Sequence, residues 1–289
     1  PKTPATNIFN VQECGKYDIP LPLKKGKYKC LKWDSKEAQK IMLNNLYNKN
    51  KINASEVIAP KQVESNCWFN SFFMVFFISD KGRKFMKNFR RAMITGYIEP
   101  KGKGKNKTKI IQKLRYPFWL LNKMIEASLV GKKDPYGYAE LMDTNNVIEK
   151  IYTNLKEKWK EKGFYKKPGD AGNPIDMFVE IIEYFKYSVN RYNTKKSTDS
   201  GLEWEHCYRF DKYDEFLSLS KETSFRYKNI VTYKPKIIII QISDERDNGY
   251  NLKEKREAKV SDYKKKLMYK FGNLEYKLDS VGVRNIKKN

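Results

Sequence analysis

The chain has 289 residues, of which 40% are hydrophobic, and it carries 20 Tyr and 16 Phe. This composition supports a packed core in one large domain or two modest ones and excludes wholesale disorder. The 59 Lys and Arg against 34 Asp and Glu give a net charge of +25. That surplus favours polyanionic partners, although lysine is also ordinary surface filler.

The apolar runs and the cysteines further restrict the classes of protein to which the chain can belong. CWFNSFFMVFFI and IIIIQI are too short and too interrupted to cross a bilayer, so we expect no membrane partner. Cysteines stand at positions 14, 30, 67 and 207 without a CxxC pair, and the chain has one histidine. We therefore expect no zinc site and no other metal or cofactor. Such sparse cysteine is typical of a reducing, intracellular compartment.

Residues 1–60 predict an N-terminal extension that is rich in Pro, Gly and Lys and contains one helix. The helix is expected over SKEAQKIMLNNLYNK, with Ser35 as its capping residue. Its apolar residues recur at near-helical spacing, and they are Ala38, Ile41, Met42, Leu43, Leu46 and Tyr47.

Residues 61–195 predict a helical lobe. NCWFNSFFMVFFIS is expected to form one buried helix, and KGRKFMKNFRRAMI a second, amphipathic helix. A third helix is predicted over PIDMFVEIIEYFKYSV, where Pro174 suits the first turn.

Residues 196–289 predict a β-rich lobe of short, β-branched or aromatic segments separated by polar turns. These segments are EHCYRF, YKNIVTY, KPKIIIIQIS and LEYKLDSVGV. Because IIIIQI shows no alternation, we expect a central strand covered on both faces. Helices followed by strands predict an α+β fold with an antiparallel or mixed sheet.

Cys67 heads the most apolar stretch of the chain. Ser65 or Asn66 can cap a helix that begins near Cys67. A thiol at a helix N-terminus meets backbone N–H groups and the positive end of the dipole, which favour thiolate and can hold an oxyanion. Gln62, five residues earlier, can add a side-chain amide to that oxyanion hole. The alternative is that Cys67 is a small hydrophobe buried in its helix, as most free cysteines are.

The stretch QVESNCWFNSFFMVFF resembles the cysteine box of the ubiquitin-specific proteases, a papain-like family. The likeness lies in Cys67, Trp68, Asn70 and Ser71, and Gln62 stands where papain-type enzymes have an oxyanion-hole glutamine. Three further segments resemble the family in the same order, and they are GDAGNPIDMFVEIIEYF, KPKIIIIQIS and LEYKLDSVGVRN. The resemblance implies a papain-like fold, with Cys67 as nucleophile and Gln62 in the oxyanion hole.

The chain departs from the family pattern in three respects. It lacks the zinc-binding cysteine pairs, residues 172–175 lengthen the second segment, and no histidine follows the Tyr-Lys-Leu strand before Asn289. A cysteine protease needs an imidazole to accept the thiol proton and return it to the leaving amine. We expect that base either beyond Asn289, in a longer or processed protein, or at His206 with Asp211 or Asp214 as its orienting partner.

Two functions remain open on these grounds. The resemblance implies a thiol isopeptidase or peptidase that acts on ubiquitin, on a ubiquitin-like protein or on a polyprotein. The alternative is a catalytically inactive, basic structural or packaging protein that keeps the fold and contacts nucleic acid or an acidic protein through its Lys-rich loops. The Lys-, Asn-, Ile- and Tyr-rich composition is typical of large DNA viruses, so we expect a location in host cytoplasm or in a virion.

Overall fold

A computed structural model describes residues 19–22, 28–48, 52–98, 107–133, 138–155, 157, 166–172, 174, 207–210, 228, 231, 238–242 and 268–280. The chain divides into two compact units, Pro1–Phe185 and Lys186–Asn289. Both helices and strands are present, so the fold class is α+β at this level. Within the described ranges, no helix is both long and apolar enough to pass through a bilayer.

The first unit opens with an antiparallel pair of strands, β1 (Ile19–Pro22) and β2 (Tyr28–Leu31). Helix α1 (Lys36–Tyr47) follows, and Ser35 Oγ accepts a hydrogen bond from the Ala38 amide at 3.2 Å, which confirms the predicted cap. Cys30, in β2, is disulfide-bonded. This differs from the reduced state that the low cysteine content predicts.

The apolar stretch after residue 66 forms two kinds of helix. Helix α2 (Cys67–Phe72) continues directly into a π-helical segment, Phe73–Ile78. The Ser79 amide donates to Met74 O at 3.0 Å, five residues back, and so closes the wide π turn. One buried helix over this stretch is therefore confirmed in extent but not in its uniform α geometry.

The predicted amphipathic helix is divided in two at Met86. Helix α3 (Asp80–Phe85) is capped by Ser79, whose Oγ accepts from the Gly82 amide at 3.1 Å. Helix α4 (Lys87–Thr95) ends at Gly96, which has a left-handed φ of 76°. Met86, between the two helices, is buried like the apolar residues of α4. The apolar pattern therefore continues across the break, and periodicity alone predicts one helix.

The rest of the described first unit follows in chain order. Strands β3 (Tyr97–Ile98) and β4 (Thr108–Lys109) pair antiparallel, and helix α5 (Gln112–Val130) comes next. Two 3₁₀ turns, Gly131–Lys133 and Tyr138–Leu141, lead to α6 (Asn145–Asn154). The core is formed by buried side chains of α1, α2, the π-helical segment, α4 and α5. Its largest fully buried side chains are Trp119, Phe69, Phe72, Phe73, Phe77, Phe89, Met42 and Met86.

A buried ion pair fixes three of these helices together. Arg90 Nη2 of α4 lies 3.3 Å from Glu126 Oε1 of α5, and Arg90 Nε donates to Asn122 Oδ1 at 2.8 Å. Asn45 of α1 donates to Glu126 Oε2 at 2.8 Å. Burial lowers the pKa of Arg90 to about 10 and raises the pKa of Glu126, since removal from water disfavours both charged forms. The hydrogen-bond donors around Glu126 still favour its carboxylate form.

The described strands of the second unit form two separate pairs. Strand β5 (Cys207–Phe210) runs parallel to β6 (Ile239–Ile242), with Cys207 opposite Ile239. Strands β7 (Met268–Phe271) and β8 (Leu274–Lys277) form an antiparallel hairpin. Its two-residue turn begins at Gly272, whose φ of 57° suits a type II′ geometry. Strands within EHCYRF, IIIIQI and LEYKL are thereby confirmed, and β7 is an additional strand.

Two further predictions, the strand YKNIVTY and the helix that starts at Pro174, are not confirmed. Lys228 and Val231 are the described residues of YKNIVTY, and both are helical, so the strand predicted there is wrong. Apolar, β-branched content over a short stretch does not separate a strand from a buried helix. The helix predicted from Pro174 lies outside the described residues except for Pro174 itself, which is helical.

Candidate active site around Cys67

Cys67 is a free, exposed cysteine at the first residue of α2. The three residues after it, Trp68, Phe69 and Asn70, are buried. The helix therefore anchors in the core while its first side chain meets solvent. The predicted helix start is confirmed, and the alternative that Cys67 is one more buried hydrophobe is wrong.

The turn before Cys67 is held by a closed ring of three buried polar side chains. Asn66 Nδ2 donates to Thr144 Oγ1 at 3.1 Å, and Thr144 Oγ1 donates to Asn70 Oδ1 at 2.6 Å. Asn70 Nδ2 completes the ring by donating to Asn66 Oδ1 at 3.3 Å. Because Asn66 and Thr144 are 1% and 0% exposed, the ring is shielded from water and gives the turn one arrangement.

Side chains of this ring also bind the backbone of the turn. Asn66 Oδ1 accepts from the Val63 amide at 3.1 Å, and the Asn66 and Asn70 side chains both donate to Lys61 O. Glu64, at the tip of the turn, has a φ of 50°, which is uncommon for a residue with a side chain. A backbone held this way presents residue 67 at a fixed position.

The chain leading into the turn is fastened to the C-terminal end of α5 and to the start of α6. Ser128 Oγ donates to Ile58 O at 2.6 Å, and the Lys61 amide donates to Met142 O at 3.1 Å. Asn145 Nδ2 donates to Val63 O at 3.0 Å. Segments 52–66 and 138–145 therefore support Cys67 jointly.

Asn66 occupies the capping position of α2 but makes no side-chain cap hydrogen bond. Its amide is directed into the turn instead, so of the two predicted capping residues, Ser65 and Asn66, the second is wrong. The first amides of a helix have no acceptor within the helix itself. The Cys67 amide, at the first position of α2, stays the predicted backbone donor to an oxyanion beside the thiol.

Gln62 lies in the same turn and is exposed. Its Nε2 donates to Glu64 O at 3.0 Å. An amide nitrogen carries two hydrogens, so one donor is left for an oxyanion after this bond. Within the described residues, no hydrogen bond joins Gln62 to Cys67, and its oxyanion role stays a prediction.

The predicted base and its partners lie outside the described residues. This applies to His206, Asp211 and Asp214, although β5 begins at Cys207, directly after His206. The structure therefore neither brings His206 to Cys67 nor separates the two.

Two of the four family-like segments do meet in the first unit. The ring of Trp68 packs against the backbone of Gly172, since a Cβ built at residue 172 would stand 2.7 Å from Trp68 Cδ2. Trp68 belongs to the cysteine-box segment, and Gly172 to the segment GDAGNPIDMF. These two segments are 104 positions apart in sequence but adjacent in space.

An open cleft of about 700 Å³ adjoins the Cys67 turn. Three of its lining residues are acidic, namely Glu64, Asp143 and Glu149. Asn145 also lines it, with a buried Oδ1 that has no hydrogen-bond partner among the described groups. The remaining lining residues are Val63, Asn146, Tyr152, Thr153, Lys167 and Pro168.

Sequence reasoning did not find Thr144 and Asn145. Thr144 lies 78 residues from Asn66 along the chain, and its local signal, the polar run DTNN before an apolar stretch, indicates only the start of a helix. The role of Thr144 in the Cys67 turn depends on tertiary contact alone.

Comparison with known proteins gives no further constraint. No protein-family model, curated protein sequence or solved structure matches this chain significantly.

Proposed function

We propose that this protein is a thiol-dependent isopeptidase or peptidase of papain-like fold, with Cys67 as its nucleophile. The observation that carries the proposal is the exposure of the Cys67 thiol at the head of a helix whose following residues are buried. A rigidly anchored helix with an exposed, N-terminal thiol is the arrangement that nucleophilic cysteine chemistry needs. The contact of Trp68 with Gly172 fixes the first turn of α2 against residues 169–172, which adds support for a rigid helix start.

The reaction divides into acylation and deacylation. The Cys67 thiolate attacks the substrate carbonyl, and the Cys67 amide and Gln62 stabilise the oxyanion. The C–N bond then breaks, the amine leaves with a proton from a histidine, and a thioester forms on Cys67. Water, deprotonated by the same histidine, releases the acid and restores the thiol. His206 is the candidate for this base that the sequence contains.

The substrates that we propose are conjugates of ubiquitin or a ubiquitin-like protein, with a polyprotein as the alternative. The cleft beside Glu64 offers an extended peptide a place next to the Cys67 turn. We propose a viral origin, with action in host cytoplasm or in a virion, on the grounds of composition.

Covalent capture tests the proposal directly. Ubiquitin carrying a C-terminal electrophile should label the complete protein at Cys67, as read by a mass shift and peptide mapping. Cys67→Ala should abolish the adduct, whereas Cys207→Ala, a matched removal of another thiol, should leave it. An adduct that survives Cys67→Ala would refute the assignment. Loss of the adduct in His206→Ala, with circular dichroism unchanged, would identify His206 as the base.

The net charge of +25 favours a second candidate, an inactive structural or packaging protein with the same fold. That protein would give no adduct with the ubiquitin probe, and its Cys67 would react with iodoacetamide no faster than a cysteine in an unstructured peptide. An adduct at Cys67 excludes this candidate, even if the protein also binds nucleic acid.

A further inference from the structure

A basic and aromatic surface lies at the N-terminal end of α5, and we call it the β3–α5 surface. It consists of Trp33, Tyr97, Lys109, Lys113 and Arg115. Tyr97 and Lys109 are directly paired across β3 and β4, so their side chains project to the same side, and both are exposed, Tyr97 by 43%. Lys113, in the first turn of α5, is exposed as well.

Arg115 connects the two parts of this surface. Its Nε lies 2.5 Å from where a Cβ of residue 96 would stand, so the guanidinium covers Gly96, next to Tyr97. Its Cζ lies 5.8 Å from the centre of a Trp33 ring. The surface therefore runs from Trp33 through Arg115 to the Tyr97–Lys109 pair.

The aromatic support beneath Arg115 is rigid. Trp33 meets Tyr116 edge-on at 5.5 Å between ring centres and Trp119 at 5.6 Å. Trp119 is 1% exposed and belongs to the core of the first unit. Planar groups that are already held in place lose little freedom when a ligand stacks on them.

The charges near this surface are mostly positive. Four exposed lysines lie within seven residues of Trp33 along the chain, against two carboxylates, Asp34 and Glu37. The lysines are Lys29, Lys32, Lys36 and Lys40. Lys107 extends the positive side at β4.

Near the opposite end of α5, the cleft is lined by three acidic residues against one lysine, Lys167, although two exposed lysines lie just beyond the helix end. Its 19 residues make α5 about 28 Å long, and its C-terminal end is fastened to the segment before Cys67. There the cleft is lined by Glu64, Asp143 and Glu149. A polyanion is repelled from the cleft and attracted to the β3–α5 surface, so the positive charge of this unit is not spread evenly.

We propose that the β3–α5 surface binds single-stranded nucleic acid. Lys109, Lys113 and Arg115 contact phosphates, and unpaired bases stack on Tyr97 and beside Arg115 on the Trp33 ring. Unpaired strands fit better than a duplex, because duplex bases stack on one another and do not present their faces to side chains. The interaction is independent of the proposed chemistry at Cys67.

Binding of a fluorescently labelled oligothymidine to the complete protein, followed by anisotropy at increasing salt, tests the phosphate contacts. In Lys109→Gln/Lys113→Gln, the slope of log K against log salt should fall by about 1.4, since each phosphate contact on a single strand contributes about 0.7. The matched control is Lys132→Gln/Lys133→Gln, which removes two exposed lysines just beyond the other end of α5 and should keep the wild-type slope. An equal fall of the slope in both double variants would overturn the assignment of phosphate binding to the β3–α5 surface.

Tyr97→Leu tests the stacking contact. Loss of one stacked base should weaken binding about 5- to 150-fold and leave the salt slope unchanged. Unchanged affinity in Tyr97→Leu, or equally tight binding of a duplex of the same length, would overturn the single-strand proposal. Cys67→Ala should bind as the wild type does, so failure of the protease proposal and failure of this one are separate results.

Discussion

Asn66 holds the turn before Cys67 through three partners within five residues and through Thr144, which is 78 positions away in sequence. A residue at the capping position ordinarily bonds to its own helix. Here the Asn66 amide bonds to Val63, Lys61, Asn70 and Thr144 instead. The site therefore depends on one buried side chain for its backbone geometry and on the neighbouring side chain for its chemistry.

Asn66→Ala should destabilise the protein by about 1–3 kcal/mol, because it leaves the Val63 amide without its acceptor and removes the donor to the buried Thr144 oxygen. Urea unfolding measures this change. The rate of Cys67 labelling by the ubiquitin probe should also fall, since the turn loses its fixed geometry.

Asn53→Ala is the matched control for that substitution. Asn53 Oδ1 accepts from the Ser55 amide and hydroxyl in an exposed turn, so its loss should change stability by no more than about 0.5 kcal/mol. Equal effects of the two substitutions, or normal labelling in folded Asn66→Ala, would contradict a supporting role for the Asn66 ring.

At the residue scale, local features were predictable and their partners were not. The helix start at Cys67 follows from the onset of the apolar run, and Ser35 follows from ordinary capping preference. Thr144 was not predictable, because no local pattern encodes its contact with Asn66, which lies 78 positions away. The catalytic roles of Gln62 and His206 stay predictions.

At the scale of elements, the end of α5 positions the segment that leads to Cys67. Gly131 terminates the helix with φ 53° and ψ −126°, and a Cβ there would overlap Glu56 O. The Lys132 amide donates to this same oxygen at 2.9 Å. The close backbone approach therefore requires glycine at residue 131.

Gly131→Ala should be more destabilising than Gly169→Ala, as measured by urea unfolding. Both residues have positive φ, so each substitution incurs backbone strain. Only Gly131 also faces a backbone atom, whereas a Cβ at Gly169 meets nothing within 4 Å. The overlap should add about 1–3 kcal/mol. Equal stabilities of the two variants would show that segment 56–58 can move away from α5.

The elements differ in how far sequence determines them. Periodicity predicts α1 and the extent of the helix after residue 66, because both present continuous apolar faces. It does not predict the π-helical geometry at Phe73–Ile78, which adds one residue to a turn without changing composition. Strand β7 was not predicted, although Gly272-Asn273 is a hairpin signal. The strand has only four residues and follows a lysine-rich segment that lacks the alternation of a strand.

At the scale of the whole molecule, charge was predictable in amount but not in distribution. The +25 follows directly from the sequence, and residues 100–125 contain no Asp or Glu, but the sequence does not show which charged residues meet in space. Folding of the first unit places Glu64, Asp143 and Glu149 around one cleft, and Lys109, Lys113 and Arg115 at the other end of α5. The papain-like fold stays a prediction at this scale.

The net charge of +25 leads to a prediction for the stability of the entire protein. Like charges repel one another in the compact state, and salt screens them as the Debye length falls from about 30 Å at 0.01 M to about 8 Å at 0.15 M. We therefore expect the melting temperature to rise over this interval, by about 2–4 °C for each kcal/mol of repulsion that is removed. Differential scanning calorimetry measures the change.

The same salt interval should weaken oligothymidine binding, because counterions then compete for the strand. Stability and nucleic-acid affinity thus respond to salt with opposite signs, although both responses arise from the same positive surplus. Sodium and potassium chloride at equal ionic strength serve as matched conditions, since screening depends on ionic strength and not on the identity of the cation. A melting temperature that falls with either salt would mean that attractive ion pairs outweigh repulsion in the folded chain, despite 25 uncompensated charges.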